Sequence, residues 1–315
     1  MIRFIIKRIL MMIPILLAVT IVIFTIMFFV PGDPATIASG SNIVTAEQLE
    51  VIRENMGLNK PYHVRLSEYV QGVFLRLDFG TSYSFGTAVG PELLKRFFST
   101  LFISLFGLVL MVIIGVPIGV RAAVNANKAE DRIYMFFTML FAAMPTFWVA
   151  LLLALFFSLR LGWFPSFGAD SFAHFVLPSV AVALNGIAII ARQTRSSMLE
   201  VIRSDFVTTA RSKGLLERIV IYGHALENAL IPIITIVGNQ FSRALAGVVL
   251  IETIFSIPGL GVYLVNGVSA RDYNVVQGCL ILIAFILCSV MLITDIIYAY
   301  VDPRIRARYV RKRAD

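Results

Sequence analysis

The chain has 315 residues, 58% of them hydrophobic and only 15% charged, with a mean hydropathy of +0.86. A soluble domain carries about 25% charged residues, and a soluble fold this apolar would expose patches that monomers avoid. A soluble enzyme, a disordered tail and a coiled coil are therefore excluded, and several membrane spans are expected. The 27 Lys and Arg against 19 Asp and Glu give a net charge of +8. These basic residues sit in short stretches between apolar runs, a pattern that belongs to membrane topology and not to a nucleic-acid partner.

The first apolar run, Ile9 to Val30, holds 22 uncharged residues after Arg3, Lys7 and Arg8. It is longer than the roughly 7–15 residues of a signal-peptide core, and Pro31-Gly32-Asp33-Pro34 follows it, so it reads as a retained span. Next comes a segment at 31–96. Thr45 and Gln48 form a capping box ahead of a helix with Leu49, Ile52 and Met56 on one face. Gly57 and Pro61 end it, and Tyr62, Leu66, Tyr69 and Val73 suggest a second helix, closed by an Asp78-Phe79-Gly80 turn. Five further runs follow: Phe97–Val120, Ile133–Leu159, Phe175–Ala191, Asn228–Ile251 and Tyr273–Thr294. Pro117, Pro145, Pro178 and Pro232 lie in or at these runs and read as packing kinks.

Six spans place both termini on one side. The N-terminus, the 121–132 and 192–225 loops and the C-terminal tail together carry 18 basic residues, against 8 in the 31–96 segment and the two remaining loops. The richer side is cytoplasmic. The expected organisation is an all-α membrane protein: a cytoplasmic N-terminus at 1–8, a first span at 9–30, a helical extracytoplasmic segment at 31–96, a five-span core at 97–300 and a basic cytoplasmic tail at 301–315.

No catalytic constellation is present. There is no Gly-Lys dipeptide, hence no Walker A loop, and no H-E-x-x-H zinc motif. His63, His174 and His224 fall in three separate stretches read as loops, and no metal site is expected. Cys279 and Cys288, nine residues apart on one helix, point to opposite sides and cannot pair. Energy for transport would have to come from elsewhere.

The loop from Arg192 to Ala225 is the most informative stretch. It is helical in pattern on both sides of Gly214, and a glycine after a basic helical turn supplies the left-handed residue of a helix–turn–helix bend. Such a loop makes a compact knob. By composition alone it is also an ordinary basic juxtamembrane loop.

The residues here resemble the signature of ABC-importer permease subunits, E-A-A, three residues, G, nine residues, I-x-L-P. Ala210 and Gly214 match the second alanine and the glycine. Thr208 and Thr209 stand in place of Glu and the first Ala, and His224, Leu226 and Glu227 stand where the general form has Ile, Leu and Pro. The peptide-importer form, A-R-x-K-G-L then H-A-L-x-N-A-L-I-P, is similar to Ala210–Leu215 and His224–Pro232 as they stand. Shorter strings extend the likeness over nearly the whole chain. Among them are Pro31 to Pro34, Asp78-Phe79-Gly80 with Ser82, Thr194-Arg195-Ser196, Arg271-Asp272-Tyr273 and Asp302 to Arg306. The chain thus resembles the B-type permease of the dipeptide/oligopeptide importers, a branch that also serves nickel and glutathione uptake.

That resemblance implies a non-catalytic subunit of the bacterial inner membrane. Its partners would be a paralogous C-type permease, two ATPase subunits that bind ATP and Mg, and an extracytoplasmic solute-binding protein. This chain itself would hold no cofactor. Thr208, Ala210, Arg211, Lys213, Gly214, Leu215 and Arg218 would couple to the ATPases. Within the spans, Arg243 is too costly to face lipid, at about 2.5–3.5 kcal/mol on insertion scales. It either lines a pathway with Asn239, Gln240 and Glu252 or forms a structural pair with Glu252 or Asp295. A secondary transporter would need intramembrane coupling carboxylates, for which only Asp295 and Glu252 are available.

Overall fold

The structure is a computed structural model and describes residues 2–39 and 44–301. The basic tail expected at 301–315, apart from its first residue, and the Asp302–Arg306 string lie outside the described residues. Among the described residues the regular secondary structure is helical, apart from one isolated antiparallel bridge between Thr81 and Ala88. The helices in chain order are α1 (Ile2–Phe29), α2 (Pro34–Ala38), α3 (Ala46–Asn55), α4 (Tyr62–Gln71), α5 (Val89–Val124), α6 (Ala129–Ala143), α7 (Thr146–Leu153), α8 (Ala173–Ile202), α9 (Asp205–Ser212), α10 (Glu217–Ile219), α11 (Leu226–Ile254), α12 (Leu260–Ser269) and α13 (Tyr273–Val301). Short π-helical stretches at Gly72–Arg76, Ala154–Arg160 and Val220–Ala225 continue α4, α7 and α10.

Among the described residues five helices are long and apolar enough to cross a membrane, and a sixth span exists if α6 and α7 are taken together. That pair differs from the single run expected at Ile133–Leu159. It bends by 98° at the break. Pro145 has no N–H to continue the ladder, and it drives Met144 out of the helical region, to ψ 128°. The carbonyl of Ala142, stranded near the break, accepts a 3.1 Å hydrogen bond from the Asn185 side-chain amide on α8.

The chain forms two compact units. One contains residues 101–257. Its central helix is α8, with 56% of its apolar window buried, against 11% for α1. It packs against α6, α7 and α11. It also approaches α5 so closely that Gly115 and Gly119 leave no room for a Cβ. An added Cβ at Gly115 would lie 3.1 Å from the Ile187 carbonyl oxygen, and one at Gly119 2.5 Å from that of Ala191. Small residues at a four-residue spacing allow this backbone contact, as in other membrane helix pairs. α8 runs on to Ile202, so the first eleven residues of the loop expected at 192–225 are helix. Thr194, Ser197 and Met198 are buried there, which keeps the helical period intact past the basic residues.

The second unit contains residues 6–100 and 258–289. The capping box of Thr45 and Gln48 is present on α3. α4 sits on the end of α1, with Tyr62 against Phe24 and Phe28 and its hydroxyl 2.7 Å from the Thr25 Oγ1. Asp272 caps α13 by accepting from the Val275 N–H, and also accepts from the Ser82 hydroxyl and the Ser84 N–H. α12 is a short apolar helix without a counterpart in the sequence reading; its Leu260 N–H donates to Thr100 Oγ1 at 2.8 Å. His63 and His174 lie in the first turns of α4 and α8, and His224 in a π-helical turn, not in loops. Among the described residues no His, Cys, Asp or Glu cluster is arranged for a metal. Neither cysteine is in a disulfide; Cys279 is buried and Cys288 half-buried.

Candidate functional site: the α9–α11 knob

The segment after α8 folds as a helix–turn–helix. Ser204 precedes α9, and the Val207 and Thr208 N–H groups donate to its carbonyl. Along α9, Val207 and Ala210 turn inward and are buried. They join Met198, Val220, Ile221 and Ala225 in a small apolar core that also holds Val120 and Ala123 from α5. This core is what makes the segment a rigid knob: helices this short are not stable alone.

Gly214 ends α9 at φ +76°. Its N–H donates to the Arg211 carbonyl at 2.9 Å, and no atom lies within 4 Å of where a Cβ would stand. The requirement for glycine is therefore the left-handed backbone, not crowding. The bend places Arg211 beside Glu217, with two hydrogen bonds of 3.1 and 2.7 Å from the guanidinium to the carboxylate. The Glu217 carboxylate raises the Arg211 pKa further above its ordinary value.

The residues expected to couple to the ATPases divide accordingly. Ala210 is buried; Thr208, Arg211, Lys213, Gly214, Leu215 and Arg218 are exposed. The Thr208 hydroxyl turns back onto the Ser204 carbonyl. Arg211 is held by this chain's own Glu217, whereas Lys213 and Arg218 make no ion pair among the described residues. Sequence reasoning missed the apolar surface of the knob. Phe206, Leu216, Ile219 and Tyr222 are all exposed, Leu216 at 72%. Their only signal was apolar side chains between polar residues in a loop placed outside the membrane.

A second polar cluster lies on α11. Gln240 and Arg243, one turn apart, line a cavity of about 90 Å³ together with Thr146 and Asn185. Gln240 is buried, and its Oε1 accepts no hydrogen bond. Arg243 forms no ion pair with any described residue, so the pairing with Glu252 or Asp295 is not made. Glu252 is fully buried, nine residues along the helix and so about 13 Å away. Asn239 is exposed and outside the cavity. The structure thus groups Gln240 and Arg243 with two residues the sequence reading did not select, and leaves Asn239 and Glu252 apart.

Residues 115–307 match the family described as "Binding-protein-dependent transport system inner membrane component", and residues 1–105 match its N-terminal family. The glutathione transport system permease protein GsiC of Salmonella typhi is 38% identical over 306 residues, 97% of this chain and 99% of that one. The dipeptide transport system permease protein DppB of Alkalihalophilus pseudofirmus is 36% identical, covering 97% of this chain and 100% of that one. Among solved structures, an inward-facing MetNI methionine ABC transporter aligns with a TM-score of 0.59 at 18% identity, over 67% of this chain and 96% of that one. At that identity the likeness concerns the fold.

Proposed function

As a member of the family of binding-protein-dependent transport system inner membrane components, this chain is a multi-pass permease subunit of an ABC importer, and we propose that it moves di- or oligopeptides across the bacterial cytoplasmic membrane. The observation that carries the mechanism is the knob. A buried core under α9, a left-handed bend at Gly214 and the exposed side chains of Phe206, Leu216, Ile219 and Tyr222 make a rigid body with uncovered apolar surface. Such a surface, with Lys213 and Arg218 exposed on the same segment, suits a groove on a cytoplasmic ATPase with an acidic rim.

In this reading two ATPase chains bind ATP and Mg and perform the hydrolysis, and this chain holds no cofactor. Closure of the ATPases pushes on the knob. The push passes into α11 through the π-helical turn at Val220–Ala225, and into α5 and α8 through the shared core. A second, C-type permease completes the pathway, and a binding protein delivers cargo on the outer side. Gln240 and Arg243 line that pathway and meet the cargo's carboxylate. Both termini are cytoplasmic.

The GsiC relatives favour glutathione, itself a small peptide, as a second reading of the cargo. The test is uptake into proteoliposomes holding both permeases and both ATPases, with binding protein outside and ATP inside. Labelled dipeptide should accumulate only with hydrolysable ATP. Accumulation of glutathione alone would select the second reading, and accumulation driven by an ion gradient without ATP would overturn the scheme.

A further inference from the structure

A cavity of about 290 Å³ lies within the second unit, between the end of α1, the α2–α4 segment and the start of α13. It is at the small end of the roughly 300–1,000 Å³ typical of ligand pockets. Two polar side chains in its wall make no hydrogen bond among the described residues, and one of them is sealed from solvent. The Tyr69 hydroxyl has no hydrogen-bond partner, although its ring is packed 5.5 Å from that of Phe24. The Gln277 side chain is 5% exposed and makes no hydrogen bond among the described residues. Burying the Tyr69 hydroxyl without a partner is costly, and with the uncommitted Gln277 amide in the same wall the cavity offers donors and an acceptor to a polar occupant.

The charge of the wall gives the sign of that occupant. Arg65 lies over the Phe28 ring, 5.4 Å from its centroid, and makes no ion pair among the described residues, so its planar fork of donors is uncommitted. Arg271 lies over Gly32, another wall residue. The carboxylate in the wall, Asp33, is already held by Arg53 at 2.8 Å. Burial raises the Asp33 pKa, but hydrogen bonds from Arg53, Thr36 and the Ala35 N–H outweigh it and keep the carboxyl below its ordinary value. Burial also pushes the Tyr83 hydroxyl up to about 12, against the nearby Arg65, which lowers it. Burial drives the Tyr69 hydroxyl further up. Both phenols remain neutral donors at any working pH.

We propose that this cavity binds the carboxylate end of a small peptide. Arg65 supplies the charge, Tyr69 donates to the anion, and Gln277 pairs with the peptide amide. The volume admits about one or two residues, so the site takes the end of a cargo molecule and not its length. The proposal draws on the peptide-permease reading only for the choice of probe. Its test measures binding without transport, so the two fail separately.

The experiment is titration calorimetry of the full-length chain in lipid nanodiscs with glycylglycine and with its C-terminal amide. The acid should bind saturably, and the amide roughly tenfold or more weakly, as expected for loss of a charge-assisted bond. Arg65→Gln should weaken the acid by a similar factor. Tyr69→Phe keeps the ring on Phe24 and should weaken binding several-fold with unchanged thermal melting, so a misfolded Arg65 variant would not leave the question open. Equal binding of acid and amide, or acid binding unaffected by Tyr69→Phe, would overturn the proposal. So would the absence of saturable dipeptide binding, including the case in which Arg65→Gln weakens only capture of the solute-binding protein.

Discussion

The Ser82 hydroxyl donates to the Asp272 carboxylate at 2.6 Å, across 190 positions of chain. Both residues are buried. The bond joins the turn after Asp78-Phe79-Gly80 to the first residues of α13. Ser82→Ala removes this bond to a charged acceptor, and with it the bond that the Phe85 N–H donates to the Ser82 Oγ, and should cost about 1.5–3 kcal/mol. Asp272→Ala also removes the α13 cap, worth about a further 0.5–2 kcal/mol. Thermal denaturation of the detergent-purified chain should rank the parent above Ser82→Ala and Ser82→Ala above Asp272→Ala. An Asp272→Ala protein that melts with the parent would refute the role given to this contact.

Asp131 at the start of α6 and Arg195 on α8 form a two-bond ion pair, both bonds 2.6 Å, with the Asp131 side chain 5% exposed. Breaking a fully buried pair costs about 3–5 kcal/mol; here Arg195 is partly exposed, so about 2 kcal/mol is expected for Asp131→Ala. Exchanging the two residues should restore only part of it. The Asn127 N–H also donates to the Asp131 carboxylate and would then face a guanidinium. Limited proteolysis of the α5–α6 connection should be fastest in Asp131→Ala and intermediate in the exchanged protein. Full protection in the exchanged protein would show that the Asn127 bond contributes nothing.

The spans were legible because length and apolarity are enough to define them, and Gly214 was legible because a left-handed bend demands glycine. Other features depend on three-dimensional placement. Pro145 was visible as a kink, but the 98° turn needs the Asn185 amide to satisfy the Ala142 carbonyl. α12 is only ten residues long, too short for a span, and begins just after Gly259. Arg211 and Glu217 are six apart, a spacing with no meaning on a straight helix; the bend brings them together. Phe206, Leu216 and Tyr222 were inconspicuous in a chain this apolar until their exposure was seen. Arg243 stood out as an intramembrane charge, but its neighbours Thr146 and Asn185 come from other helices.

Arg243→Ala should lower transport of carboxylate-bearing cargo at least several-fold while the complex still assembles, because Arg243 holds no structural ion pair whose loss would unfold α11. Steady-state uptake with matched peptide acids and amides is the readout. A loss of assembly, or equal effects on acid and amide, would contradict a pathway role.

Topology is testable by single-cysteine labelling in a background lacking Cys279 and Cys288. Glu54 and Ser212 are both exposed. A cysteine at position 54 should react with an impermeant maleimide in intact cells, and one at position 212 only after the membrane is opened. The reverse pattern would invert the orientation and remove the knob from the ATPase side.

The most direct measurement is ATP hydrolysis by the co-purified complex in the presence of loaded binding protein, compared for the parent, Gly214→Val and Ala210→Asp. Valine at φ +76° carries a left-handed penalty of about 1–2 kcal/mol, and a carboxylate at position 210 is forced into the apolar core beneath α9. Both chains should still insert in the membrane. They should either lose the ATPases on purification or keep them with hydrolysis no longer stimulated by binding protein. Normal assembly together with normal stimulated hydrolysis in both variants would contradict the claim that this knob couples the permease to its ATPases.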